Sequence, residues 1–365
     1  MGETRKHKTI CLTLLIFLVW VMVLSICLPD SQTSQSERRR LQLFPDLRFE
    51  QVRDGTWMRT LEDYWVDQFP ARDFLRSLSA GMRLHLLRQK DDHGVYLENG
   101  YLAELERPLN ESSLDYAATL MRQLVQESFA RKRIACAIIP DKHYFLATAH
   151  GSPSIDQKQL IGYMRSRLPD WNVIDLADSL TLDDYYRTDI HWRQESLHTV
   201  AEVLLSALGR SNIDWQAYTR QILEPFNGSY ASRTALTAKA DQLIYLTHPT
   251  LDVATVFDIE KEKTYSLYLP DQFDSIDGYS VFLDGASPLQ VLNNPAGSGH
   301  LLIFRDSFAS SLAPLLLMQY ETITLVDLRY MTASYLMEMI DTESVDDVLF
   351  LYSTRILNNS YLLRE

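Results

Sequence analysis

Cysteine is scarce in this chain, and its scarcity excludes a good deal. Of three cysteines in 365 residues, Cys11 and Cys27 lie inside one apolar run and only Cys136 lies beyond it. No disulfide can form within the part that follows the run. Cys136 sits in Ile134-Ala-Cys-Ala-Ile-Ile139 and reads as a small core residue of a buried strand. No Cys/His cluster has zinc-like spacing, no Gly-rich phosphate loop occurs and no internal repeat is evident, so neither a metal nor a cofactor is expected. Basic excess is missing as well. A net charge of −13 argues against general nucleic-acid binding, which needs a basic face. What remains is ordinary globular composition, 46% hydrophobic and 23% charged, in a chain long enough for one large domain or two modest ones.

The one long apolar run is Ile10 to Leu28, preceded by Arg5, Lys6, His7 and Lys8. Its length suits a membrane span better than the core of a signal peptide. The basic flank predicts an N-terminus kept in the cytoplasm and a remainder that is exported. The run ends in Ser25-Ile26-Cys27-Leu28-Pro29 without an evident small-residue cleavage site, so an uncleaved signal-anchor is favoured. Arg38-Arg39-Arg40, on the expected outer side, runs against that orientation. The expected organisation is a cytoplasmic tip and transmembrane anchor over 1–30, a polar tether over 31–48, and an ectodomain over 49–365.

Within the ectodomain, the region from Phe49 to Leu87 reads as helical. Asn99-Gly100 between Val95-Tyr-Leu97 and Tyr101-Leu102 reads as a small hairpin. Beyond Ser113, apolar strands such as 134–139, 300–304, 323–328 and 348–352 alternate with amphipathic helices. That alternation predicts a mostly parallel sheet covered on both faces. Between about 226 and 298 the pattern changes to short aromatic-rich alternation, as in Thr264-Tyr-Ser-Leu-Tyr-Leu269, and a β-rich insertion is expected there.

Two polar islands stand out in these apolar surroundings, Thr188-Asp189-Ile190-His191-Trp192 and Phe304-Arg305-Asp306-Ser307-Phe308. Asp189 and His191 are two apart, so in an extended segment they face the same side. A hydroxyl becomes a nucleophile when a base takes its proton, and an imidazole is a better base when a carboxylate fixes its tautomer. Ser307 falls at the expected exit of a strand just before a helix, where open α/β sheets place their sites and helix N–H groups face an anion. Taken alone, Asp306 and Ser307 would equally serve as a helix cap. Taken together, the islands point to a Ser-His-Asp site. Trp192 is read as packing.

The stretches Asp63-Tyr64 with Asp67-Gln-Phe-Pro-Ala-Arg72, Gly94-Val-Tyr96, Pro140-Asp-Lys142 and Tyr186-Arg-Thr-Asp-Ile-His-Trp192 appear in order. Tyr279-Ser-Val-Phe-Leu283 with Gly285, Arg305-Asp-Ser-Phe308 and Asp327-Leu-Arg-Tyr330 follow them. With these the chain resembles the DHHW-motif proteins, relatives of the alginate O-acetylation proteins AlgJ and AlgX. The resemblance implies an SGNH-hydrolase-like three-layer α/β/α fold with the motif order circularly permuted. It implies Ser307 as nucleophile, His191 as base and Asp189 as orienting carboxylate; Arg329 and Lys142 are candidate contacts for an oxyanion or a glycan hydroxyl, and would equally serve as surface or fold-supporting charges. The implied activity is membrane-anchored, extracytoplasmic O-acetyl transfer to a cell-envelope polysaccharide, with a membrane-bound O-acyltransferase as acetyl donor. A carbohydrate acetylesterase and a non-catalytic envelope scaffold are the alternatives. The chain departs from the family pattern twice. Ile190 stands where the family name implies a histidine, and it is expected to point away from Ser307. Arg305 stands where Gly-Asp-Ser is usual, and it is expected to crowd the turn.

Overall fold

The computed structural model describes residues 2–34, 36–106 and 108–365. Met1, Gln35 and Arg107 lie outside the described residues, and with them one residue each of the expected tip and tether. The chain forms two compact units, Met1–Asp92 with Ser232–Thr237, and His93–Ala231 with Ala238–Glu365.

The first unit begins with helix α1, Gly2–Cys27. Its segment Lys6–Ser25, of mean hydropathy 2.3, is long and apolar enough to cross a membrane. Then Thr33–Ser34 pairs with Arg39–Arg40, and three helices follow, α2 (Phe49–Asp54), α3 (Thr56–Asp67) and α4 (Arg72–Gly81). Gly55 separates α2 from α3 at φ 81°, a left-handed conformation that glycine adopts without steric cost. At the end of α3, Asp67 accepts from the Arg39 guanidinium (2.8 Å) and from the Gln42 N–H (2.8 Å). These bonds hold its carboxyl below the usual range.

In the second unit the strands are β1 (Arg133–Ile139), β2 (Asn172–Asp175), β3 (Thr255–Asp258) and β4 (Lys263–Ser266). They continue with β5 (Leu289–Asn293), β6 (His300–Arg305), β7 (Thr322–Val326) and β8 (Asp347–Ser353). All eight join one sheet in the order β4-β3-β5-β7-β6-β8-β1-β2. From β7 to β2 every pairing is parallel, and from β4 to β7 every pairing is antiparallel. Part of the region expected as a β-rich insertion therefore extends the main sheet as its antiparallel wing. The remainder supplies Asp241–Thr247, which pairs with Thr219–Phe226 outside the sheet.

Side chains alternate between two cores with the period of a strand. Ala135, Ala137 and Ile139 of β1, Leu301 and Ile303 of β6, and Leu349 and Leu351 of β8 face one core. Cys136, Ile138, Leu302, Phe304, Val348 and Phe350 face the other. Five helices of this unit supply the covers: α5 (Glu111–Leu124), α6 (Gln157–Arg167), α7 (His198–Ala207), α8 (Ala309–Leu316) and α9 (Ala333–Met339). Helices α7 and α8 cover the first face, and α5, α6 and α9 the second. Each fully buried leucine in these layers contributes about 1.5–3 kcal/mol. The result is the expected three-layer α/β/α architecture. Burial on both faces explains why the parallel strands read as continuous apolar runs.

Candidate active site

The parallel strands deliver their carboxyl ends to one edge. After β6, Asp306 accepts from the Phe308 N–H (3.0 Å) and from the Ser353 N–H (2.8 Å) at the end of β8. One carboxylate thus folds the turn and ties it to the neighbouring strand. The turn enters α8 through Ala309 N–H to Asp306 O (3.3 Å) and Ser310 N–H to Ser307 O (3.2 Å). Ser307 is held at the exit between strand and helix. Its own N–H has no acceptor among the described residues.

The loop that faces it is closed by its backbone. Tyr186 N–H donates to His191 O (3.1 Å), Arg193 N–H to Asp184 O (2.7 Å), and Tyr185 bridges Trp192. Asp241 accepts from Arg187 N–H, Thr188 N–H and Thr188 Oγ–H at 2.8, 2.8 and 2.6 Å. Inside this frame Asp189 Oδ1 accepts from His191 Nδ1–H at 2.6 Å and from the His191 backbone N–H at 3.0 Å. Its other oxygen accepts from Ser229 N–H at 2.7 Å. His191 Nε2 lies 2.8 Å from Ser307 Oγ. The structure therefore brings Asp189, His191 and Ser307 into one hydrogen-bonded chain. With Nδ1 donating to the carboxylate, Nε2 is left to accept the serine proton.

Several neighbours of this chain were given no contact with it by the sequence. Tyr279 stacks flat on the His191 ring, centroids 3.9 Å apart and planes 4° apart, while Phe308 meets the ring edge-on. Tyr279 is buried and donates to Ser311 Oγ (3.0 Å), and burial pushes its phenol up. Gly228 lies against Asp189 so closely that a Cβ there would stand 2.2 Å from the Asp189 Cβ. Trp192, expected as packing, is buried and also donates Nε1–H to Phe308 O and Ser311 Oγ, both at 3.0 Å. It fastens the histidine loop to the serine turn.

Other expected residues take different places. Lys142 is only 1% exposed, and its Nζ donates to Tyr186 O and Asp189 O, both at 2.7 Å. It braces the loop that carries Asp189 and His191 from inside rather than presenting a cation to a ligand. Burial pushes its ammonium down to about 8, against the pull of Asp189, Asp141 and Asp241. Arg329 is held by Asp327, with Nε and Nη2 donating at 2.8 and 2.6 Å, and its Nη1 has no acceptor among the described residues. Ile190 packs against the first core. Arg305 is buried, with Nη1 on Ser310 Oγ and Nη2 on Gln290 Oε1, both 2.9 Å. Its side chain takes an internal polar niche under α8, which the expectation of a crowded turn did not foresee. No group of three or more potential metal ligands occurs among the described residues.

No protein-family model matches the sequence, and no curated protein matches it. Solved structures do. A DHHW family protein from Eubacterium siraeum is similar with TM-score 0.59 and 18% identity, over 74% of this chain and 95% of that one. PatB1 of Bacillus cereus is similar with TM-score 0.58 and 19% identity, over 74% and 97%. The same protein is also solved with a sulfonyl adduct, at TM-score 0.57 and 18% identity. At this identity the likeness establishes the fold. The SGNH-like α/β/α class is thereby defined, and a DHHW family protein is among its structural neighbours, as the motif order in the sequence implied.

Proposed function

We propose that this chain is a membrane-anchored, extracytoplasmic O-acetyltransferase-like protein acting on a cell-envelope polysaccharide. The observation that carries the reading is the run of two short hydrogen bonds, Asp189 to His191 and His191 to Ser307, at the carboxyl edge of a parallel sheet. His191 Nε2 takes the Oγ proton as Ser307 attacks the acetyl carbonyl, and Asp189 stabilises the imidazolium. The oxyanion faces the Ser307 N–H at the start of α8. The proton on Nε2 then goes to the leaving oxygen of the donor, which leaves acetyl-Ser307. A sugar hydroxyl, deprotonated by the same nitrogen, attacks that ester and takes the acetyl group, and Ser307 regains its proton. Arg329, with one guanidinium nitrogen uncommitted, is the charged side chain proposed to meet the glycan or the oxyanion.

The one helix among the described residues that is long and apolar enough to cross a membrane, with its basic flank, supports the anchored, exported arrangement. A membrane-bound O-acyltransferase is the proposed source of acetyl, because acetyl donors of the cytoplasm lie on the other side of the bilayer. Sulfonyl fluorides label serines activated by a histidine base, and PatB1 is described with a sulfonyl adduct. The expected result is therefore one sulfonyl group on Ser307 after treatment with phenylmethanesulfonyl fluoride, detected by peptide mass spectrometry. His191→Ala should abolish the labelling. Modification unaffected by His191→Ala, or none at Ser307, would remove the support for an activated serine.

A further inference from the structure

Helix α4 wears its apolar side outward. Phe74, Leu75 and Leu78, with Met82 at the start of the helical turn Met82–Leu86 that directly continues α4, share one side by their spacing of three to four residues. Phe74 is 66% exposed, and Leu78 and Met82 are each 48% exposed. The polar side faces inward. Ala80 is buried, Arg72 pairs with Glu37, and Arg76 Nε lies 3.0 Å from the same carboxylate. A surface helix of a soluble domain has the opposite arrangement, with its apolar stripe on the core. Large exposed apolar patches of this kind mark an interaction surface.

A second observation says what that surface meets. The residues directly after α1 are bonded to the elements that position α4. Tyr64 O–H donates to Asp30 Oδ1 at 3.0 Å, and the Gln68 side chain exchanges two 3.0 Å bonds with the Ser31 backbone. Asp67, at the end of the same helix α3, lies 3.7 Å from the Arg72 guanidinium. Helix α4 therefore starts a few side chains away from the point where the apolar helix ends at Cys27. Asp30 lies three residues beyond that end, no more than about 11 Å of extended chain. The polar zone of a bilayer is about 5–8 Å deep on each side. All of these contacts lie within the first unit.

We infer that α4 lies in the headgroup region of the membrane that Lys6–Ser25 crosses, with Phe74, Leu78 and Met82 at the acyl boundary. The arginines on the other side stay with Glu37 and water, as in helices that lie flat at an interface. The inference rests on the membrane reading of α1. It does not rest on the acyl-transfer reading.

The test uses the full chain in phospholipid nanodiscs, with Cys11→Ala and Cys27→Ala, and with Cys136 retained because it is buried. Nitroxide labels go on single cysteines, Val19→Cys in the span, Leu78→Cys and Met82→Cys on the outer face, and Asp73→Cys beside it. Phe74→Cys replaces either outer variant that fails to fold. Collision rates are measured with oxygen, which partitions into lipid, and with a water-soluble nickel chelate. The expected result is oxygen-favoured collision at 19, 78 and 82, and nickel-favoured collision at 73. Oxygen-favoured collision at 19 with nickel-favoured collision at 78 and 82 would overturn the inference and leave the span intact. Protection of 78 and 82 from both reagents would also overturn it, since protein would then cover the face. Nickel-favoured collision at 19 would overturn the span and the inference together.

Discussion

In the proposed reaction His191 is a base that becomes a cation, and its neighbours suit that role. Asp189 fixes one nitrogen, Ser307 meets the other, and Tyr279 lies flat against the ring. A cation over an aromatic face is stabilised by about 0.5–2 kcal/mol, more when desolvated. Tyr279→Leu is therefore expected to lower kcat/KM for an activated acetyl ester about tenfold. Tyr279→Phe, which keeps the ring, should leave it close to wild type. A Phe variant as impaired as Leu would show that the phenol hydroxyl matters and the stack does not. Asp189→Asn should cost on the order of 10⁴ in kcat, because the amide favours the wrong imidazole tautomer.

Lys142 supplies a pH signature of its own. Its ammonium is pushed from 10.5 to about 8 in the folded protein. Between these values the unfolded chain binds a proton that the folded chain does not, so stability rises with pH across that window. Below it both states are protonated and the term is constant. Urea unfolding at pH 7.5 and 9.5 should show wild type gaining on Lys142→Met at the higher pH. An unchanged difference would mean that the buried amine does not titrate there.

At the scale of elements, the loop that carries Asp189 and the turn that carries Ser307 are built separately and then locked. Gly228 makes the approach to Asp189 possible. Gly228→Ala would place a methyl 2.2 Å from the Asp189 Cβ, so activity should fall at least tenfold, with a loss of about 1–3 kcal/mol in stability from forced overpacking. Wild-type activity in that variant would contradict the tight packing behind the triad. Much of this level was legible in the sequence. Continuous apolar runs announced β1, β6 and β8, and the Asn99-Gly100 hairpin formed with both residues at positive φ. What the sequence concealed was partner choice. Nothing local in 255–293 says that β5 will pair onto β7, with β3 and β4 beyond it, and widen the main sheet, because register and neighbour are set by distant contacts. Between a ligand contact and a fold-supporting charge the sequence could not choose for Lys142, nor could it show where the Arg305 side chain goes. The groups that hold them are distant: backbone carbonyls hold the one, and Ser310 and Gln290 the other, inside the fold. Tyr279 stood in one of the stretches behind the resemblance, but its stack was not legible, since no spacing rule links it to a histidine 88 residues earlier.

At the scale of the whole molecule, the chain forms two compact bodies, one holding the apolar N-terminal helix together with the residues up to Asp92, the other holding the α/β sheet. Under the proposed function the apolar helix would keep the serine near a membrane-derived acetyl donor. The central claim is that Ser307 carries the acetyl group between donor and glycan. The most direct test is to mix the full-length protein with 4-nitrophenyl acetate, quench early, and map acetyl groups by peptide mass spectrometry. Acetyl on Ser307, absent from Ser307→Ala and chased off by an acceptor oligosaccharide that becomes acetylated, is the predicted result. A Ser307 that stays free of acetyl while the ester turns over at the same rate in wild type and Ser307→Ala would contradict the account.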